Sequence, residues 1–196
     1  MFTQPLAKLL TAVILSAAAP ATWAQWSVNN DLSRLSFISV KATHIAEVHK
    51  FSRLSGGIAD NGKVAVDIEL ASIDTLIPIR NERMLEFLFD AANFPKASIH
   101  AQLDPTGLNK LAVGEVTIMA LEATLTVKER QMPITTEVLV SKHSDYVVVA
   151  NLQPIVLNTA SLGLGDGVEK LRELAGLPNI TQAVPVTFVI TFDNGQ

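Results

Sequence analysis

The chain has 196 residues, of which 48% are hydrophobic and 17% charged, a formal net charge of −4, and no cysteine. Without cysteine there is no disulfide framework, no thiol chemistry and no lipid attachment at a cysteine. An acidic chain with no run of Lys and Arg also lacks the electrostatic footprint of a nucleic-acid binder.

Residues 1–24 have the layout of a secretory signal peptide. Lys8 is the positive start, Leu9 to Ala19 is an apolar run too short to span a bilayer, and the small residues Thr22 and Ala24 flank Trp23, so cleavage is expected after Ala24. Loss of Lys8 makes the remainder one unit more acidic. Gln25 to Gln196 is the length of one domain, exported to the periplasm and without a stable membrane insertion.

From Trp26 onward, short segments rich in β-branched residues recur between turn signals, the rhythm of an antiparallel meander. Strands are expected over 34–41, 48–59, 63–71, 97–103, 110–121, 123–130, 134–142, 146–152 and 184–192. The clearest is Lys63 to Ala71. Val64, Val66, Ile68 and Leu70 share one face there, Lys63, Asp67 and Glu69 take the other, and Asp60-Asn61-Gly62 makes the preceding hairpin turn. Further turns are expected at Pro105-Thr106-Gly107, Gln131-Met132-Pro133 and His143-Ser144-Asp145.

Two helices interrupt the strands. Over Ile79 to Ala91, Met84, Leu85, Leu88 and Phe89 recur at helical spacing, and Asn93-Phe94-Pro95 ends the segment. A second helix is expected over Val168 to Ala175, capped by Asp166 and entered through Gly163, Gly165 and Gly167, which are read as a hinge for a lid. About eight antiparallel strands leave edges to protect, and closing the sheet into a barrel protects them.

Constellations that would carry chemistry are mostly missing. No G-x-S-x-G elbow occurs. His44 and His49 are separated by an odd number of residues and point to opposite faces of a regular strand, against a shared metal. Asp67 and Glu69 lie on a wet face, unsuited to splitting their pKa values for acid–base work. The glycines before the second helix lack the Lys-Ser or Lys-Thr of a phosphate loop, and Asp166 would repel phosphate. No catalytic residue, metal or cofactor is therefore assigned.

Several motifs together resemble the YceI-like family. They are Ser72-Ile73-Asp74-Thr75, then Arg80, Leu88-Phe89 and Phe94-Pro95, with Trp26-Ser27-Val28, Ser36-Phe37, His44 and the stretch Phe51 to Gly56 upstream. The family's Arg-Asp pair is Arg80-Asn81 here. The resemblance implies an all-β fold with two short helices, an extended eight-stranded antiparallel lipocalin-like β-barrel, holding an isoprenoid, quinone or fatty amphiphile without catalysis. Alternation along the strands nominates Phe37, Val64, Val66, Ile68, Leu70, Ile99, Leu125, Val127, Phe188 and Ile190 as the interior, with Leu85, Leu88 and Phe89 as its cap. A homodimer stays open. Two other functions stay open beside carriage: an enzyme acting on a lipid with His44 or His100 as base, and an interaction protein with a filled core.

Overall fold

The computed structural model describes residues 25–103 and 105–195. The expected signal segment, residues 1–24, lies outside the described residues. Among the described residues, no helix is long and apolar enough to cross a membrane.

The strands are β1 (Trp26–Lys41), β2 (Ile45–Phe51), β3 (Leu54–Ile58), β4 (Lys63–Glu69), β5 (Ile73–Asp74), β6 (Lys96–Gln102), β7 (Val116–Val127), β8 (Arg130–Lys142), β9 (Tyr146–Asn151), β10 (Ile155–Asn158) and β11 (Ala183–Asn194). All belong to one antiparallel sheet, and pairing of β11 with β1 closes β1, β3, β4, β6, β7, β8, β9 and β11 into the expected eight-stranded barrel. Closure protects edges that an open sheet would expose.

Two of the barrel's eight positions are filled by broken strands. The expected strand 48–59 is β2 and β3, interrupted at Ser52-Arg53; the Asn30 side chain repairs the break, its amide donating to the Leu54 carbonyl (2.8 Å) and its carbonyl accepting from the Leu54 N–H (2.7 Å). β9 and β10 break at Leu152-Gln153-Pro154, and there Asn151 serves β11, accepting from the Phe188 N–H (2.7 Å) and donating to the Val186 carbonyl (3.2 Å). β10 falls outside the expected strands.

Other boundaries differ because proline and glycine mark more than turns. Pro133 lies inside β8, opposite Thr124, and the turn comes earlier at Lys128-Glu129, with Lys128 left-handed (φ 54°). The expected strands 110–121 and 123–130 are therefore mostly one strand, β7, and Pro105-Thr106-Gly107 opens a short helix, α2 (Pro105–Lys110). Leu103, Leu108 and Leu111 are buried together at that end of the barrel.

The opposite end is covered by helices. α1 (Pro78–Arg83) starts with proline at its first turn and runs into a π-helical segment, Met84–Phe89, that buries Met84, Leu88 and Phe89. α3 (Gly165–Leu174) packs on it. A side chain at Gly167 would meet the Phe87 carbonyl at 2.7 Å and the Leu88 Cα at 2.8 Å, so glycine permits the contact. The hinge reading is thereby corrected: Gly165 and Gly167 lie inside α3, Asp166 is in its first turn rather than at the cap, and of the three only Gly163 is left-handed (φ 70°).

Candidate functional site

Period-two alternation sends every second strand residue into the barrel. The interior holds three cavities in a row. The first, about 80 Å³, lies toward α2 and is walled by apolar residues with Thr136; the second, about 150 Å³, fills the middle; the third, about 260 Å³, lies beneath α1, the π segment and α3. Leu35, Ile68, Ile99, Ile134, Ile155 and Phe188 line both the first and the second. Phe37, Leu88, Thr159 and Val184 line both the second and the third. The result is one segmented apolar axis.

Each nominated interior residue has a place on it. Val64, Val66 and Ile190 line the first cavity; Ile68, Ile99 and Phe188 the first and second; Leu70, Phe89, Leu125 and Val127 the second; Phe37 and Leu88 the second and third. Leu85 is the exception: it packs half-buried against the core and lines none of the three, because the π segment carries Leu88 and Phe89 inward instead.

The third cavity ends in polar side chains that strand alternation did not nominate for the interior: Ser39 and Lys41 from β1, Glu47 and His49 from β2, Arg80 from α1. Glu47, His49 and Phe51 follow one another at alternate positions, so the parity that places Phe51 inside also places His49 there. His49 lies tilted against Phe37 (centroids 5.1 Å, 59° between planes), Phe37 stacks on Phe51 (5.6 Å), and Phe51 meets Phe89 edge-on (6.0 Å).

Glu47 is held at 2.7 Å by both Lys41 and Arg80. Burial alone would raise its carboxyl, but hydrogen bonds from Lys41 and Arg80 outweigh burial and keep it below the usual range. His49 is only 3% exposed, and its Nε2 shares a hydrogen bond with Ser39 Oγ at 2.8 Å. Burial pushes its imidazole below the ordinary value, and the Arg80 charge pushes the same way. Two buried nitrogens, His49 Nδ1 and Arg80 Nε, have no protein partner. A buried polar atom without a partner is costly unless something supplies one. Two cations against one carboxylate also leave this end favourable to an electron-rich group.

The segment Ser72-Ile73-Asp74-Thr75 anchors this end. Ser72 Oγ accepts from the Arg53 N–H (3.0 Å) and donates to the Glu69 carbonyl (2.6 Å). Asn81 Oδ1 accepts from both the N–H (2.9 Å) and the hydroxyl (2.6 Å) of Thr75. An acceptor oxygen is all that position uses, so Asn81 does there what an Asp would.

The histidines considered as bases lie elsewhere. His44 is exposed in the β1–β2 turn and His100 is exposed on β6, so neither faces the cavities. The interior histidine is His49, and its ring bond goes to Ser39, not to a carboxylate.

The YceI-like domain family model matches residues 26–192. A polyisoprenoid-binding domain from Saccharophagus degradans, implicated in plant cell wall breakdown, is 35% identical; the alignment covers 88% of this chain and 99% of that one, with a TM-score of 0.85. BcnA of Burkholderia cenocepacia shares the fold at 18% identity over 84% of this chain and 98% of its own (TM-score 0.65), as does a YceI protein of Campylobacter jejuni at 11% over 96% and 100% (TM-score 0.56). No curated protein sequence matches the chain.

Proposed function

Since the chain belongs to the YceI-like domain family, we propose that it is a periplasmic carrier, exported by cleavage of residues 1–24, that holds a polyisoprenoid, quinone or other long-chain amphiphile with its apolar chain along the cavities and its polar end at Arg80 and His49. The observation that carries this reading is the row of three cavities that changes from apolar to polar along its length and ends at two buried nitrogens without partners. An amphiphile has that same asymmetry. Removal of its chain from water drives binding at roughly 25 cal/mol per Å², before ordering costs. Phe37, Ile68, Ile99, Leu88, Phe89 and Phe188, which line the middle of the axis, are the proposed chain contacts.

No proton-transfer role is given to the interior. Glu47 is occupied by two cations, and His49 bonds Ser39 with no carboxylate against its other ring nitrogen, so the third group that orients a general base is missing. The filled-core alternative needs an interior without cavities, and it has three.

The test is mass spectrometry of the organic extract of the protein purified from a periplasmic fraction. A lipid at near-stoichiometric amount, with an intact mass beginning at Gln25, is the expected result; an extract no richer than that of a control protein would refute carriage. Light scattering on the same preparation reports a homodimer as a doubled mass.

A further inference from the structure

One seam of the barrel wall has no strand ladder across it. β8 pairs with β9 from Val138 to Lys142, but along Gln131–Glu137 its neighbour is β10, and among the described residues no strand ladder joins the two. The last tie is the Leu152 N–H to the Glu137 carbonyl, 3.1 Å. β10 is held from its other side, by β11, where Asn151 completes the hydrogen bonding. Asn151 repairs the break toward β11 and leaves the side toward β8 unrepaired. Pro133 and Pro154 flank the seam, and neither has an N–H to donate across it.

The seam is a groove of about 560 Å³. Its outer lip carries exposed apolar side chains, Leu152 (42% exposed) and Val156 (65%). Its floor is shared with the interior: Ile134 and Ile155 line the groove and both the first and second cavities, and Leu157 lines the groove and the second. These side chains separate the outside from the middle of the apolar axis.

The capped end is fastened. Arg83 donates to the Leu174 carbonyl (3.2 Å), binding α1 to α3; Arg80 binds α1 to Glu47 on β2; and α3 touches the π segment backbone at Gly167. Opening that end breaks charged hydrogen bonds and helix packing. Opening the seam breaks the Leu152–Glu137 hydrogen bond but no ladder between β8 and β10, and β10 keeps its ladder to β11.

We propose that the apolar chain of the cargo enters and leaves the barrel sideways, through the seam between β8 and β10, while the helical cap stays shut. The proposal rests on the carrier reading above. It assigns the groove to hydrocarbon, because Leu152 and Val156 on the β10 side and Ile134, Ile155 and Leu157 on the floor make an apolar track continuous with the cavities, beside a polar β8 lip of Thr135 and Glu137, and it assigns β10 as the moving part of the wall.

The absence of native cysteine makes the test clean. Thr135 and Val156 are exposed on the two lips of the groove, and the double variant Thr135→Cys, Val156→Cys can be bridged with a reducible bis-maleimide. The probe is a fluorescent anthranilate ester of farnesol, followed by stopped flow. Bridging the seam is expected to slow association about tenfold, with recovery on reduction, whereas the same bridge between Arg83→Cys and Leu174→Cys is expected to leave the rate within about twofold. A single Val156→Glu exchange, at a position 65% exposed, is expected to slow association as well, with Tm unchanged. A normal rate with the seam bridged, or slowing only when the cap is bridged, overturns sideways entry while carriage stands. Failure of the native chain to bind the probe at all overturns carriage, and this proposal with it.

Discussion

Arg80 on the capping helix donates to Glu47 on β2 at 2.7 Å, and through the same guanidinium to the backbone carbonyl of Thr75. One side chain thus ties the cap, the strand below it and the segment between them, and does so beside the largest of the three cavities.

Replacing Arg80 by Met keeps most of the packing and deletes the charge. Both members of the pair are mostly buried, at 23% and 27% side-chain exposure, and Glu47 would keep only Lys41. The expected loss is about 1–3 kcal/mol in urea unfolding. Affinity for an amphiphile with an anionic head should fall further than affinity for the matching hydrocarbon. Equal losses for the two would argue that Arg80 serves the fold alone.

Stability should depend on pH through His49. Its folded-state pKa lies below the ordinary 6.5, so the unfolded chain takes up the proton first. Stability contributed by keeping the ring neutral is complete above about pH 6.5 and is lost as the pH falls through that value toward the folded pKa. The urea midpoint is expected to drop between about pH 7.5 and about pH 5.5, and His49→Asn to flatten that slope. An unchanged slope in the variant would assign the dependence to other groups. Glu47, also held low, stabilises the fold throughout this range, and its contribution is lost only as the pH falls below about 4.5.

Glycine at position 167 is required by contact rather than by backbone angle. Gly167→Ala would bring a methyl to 2.7 Å from the Phe87 carbonyl, forcing α3 off the cap. A cost of about 1–3 kcal/mol is expected, with faster amide exchange in α3 than in the barrel strands. Gly56→Ala is a harsher change: φ is 109° and the new carbon would lie 2.0 Å from the Ala65 carbonyl oxygen, so β3 and β4 could not pair as they do. Wild-type thermal stability in Gly56→Ala would contradict this register.

Filling the axis should separate binding from folding. Ile99 lines both the first and second cavities, and Ile99→Phe adds volume where there is space. Affinity for a long-chain probe is expected to fall about tenfold while Tm stays or rises. Undiminished affinity would place the ligand elsewhere.

The sequence alone determined what depends on local periodicity. Val64, Val66, Ile68 and Leu70 face inward because a strand alternates, and all four line cavities. Met84, Leu88 and Phe89 cap the barrel because a helix returns them to one face, whereas Leu85 falls on the wrong side once the helix widens to π geometry. The Asp60-Asn61-Gly62 hairpin forms for the same local reason, with Gly62 left-handed (φ 78°). Tertiary structure decided the rest. Whether a proline marks a turn or a strand is settled by its neighbours, and Pro133 has Thr124 across from it. β10 is four residues whose ladder is with a strand far along the chain, so no local pattern announces it. The polar end of the axis joins Lys41 and Glu47 to Arg80, 33 residues beyond Glu47, and acquires its charge balance only when the cap docks. Periodicity reports which face a residue takes; only closure of the barrel reports what it meets there.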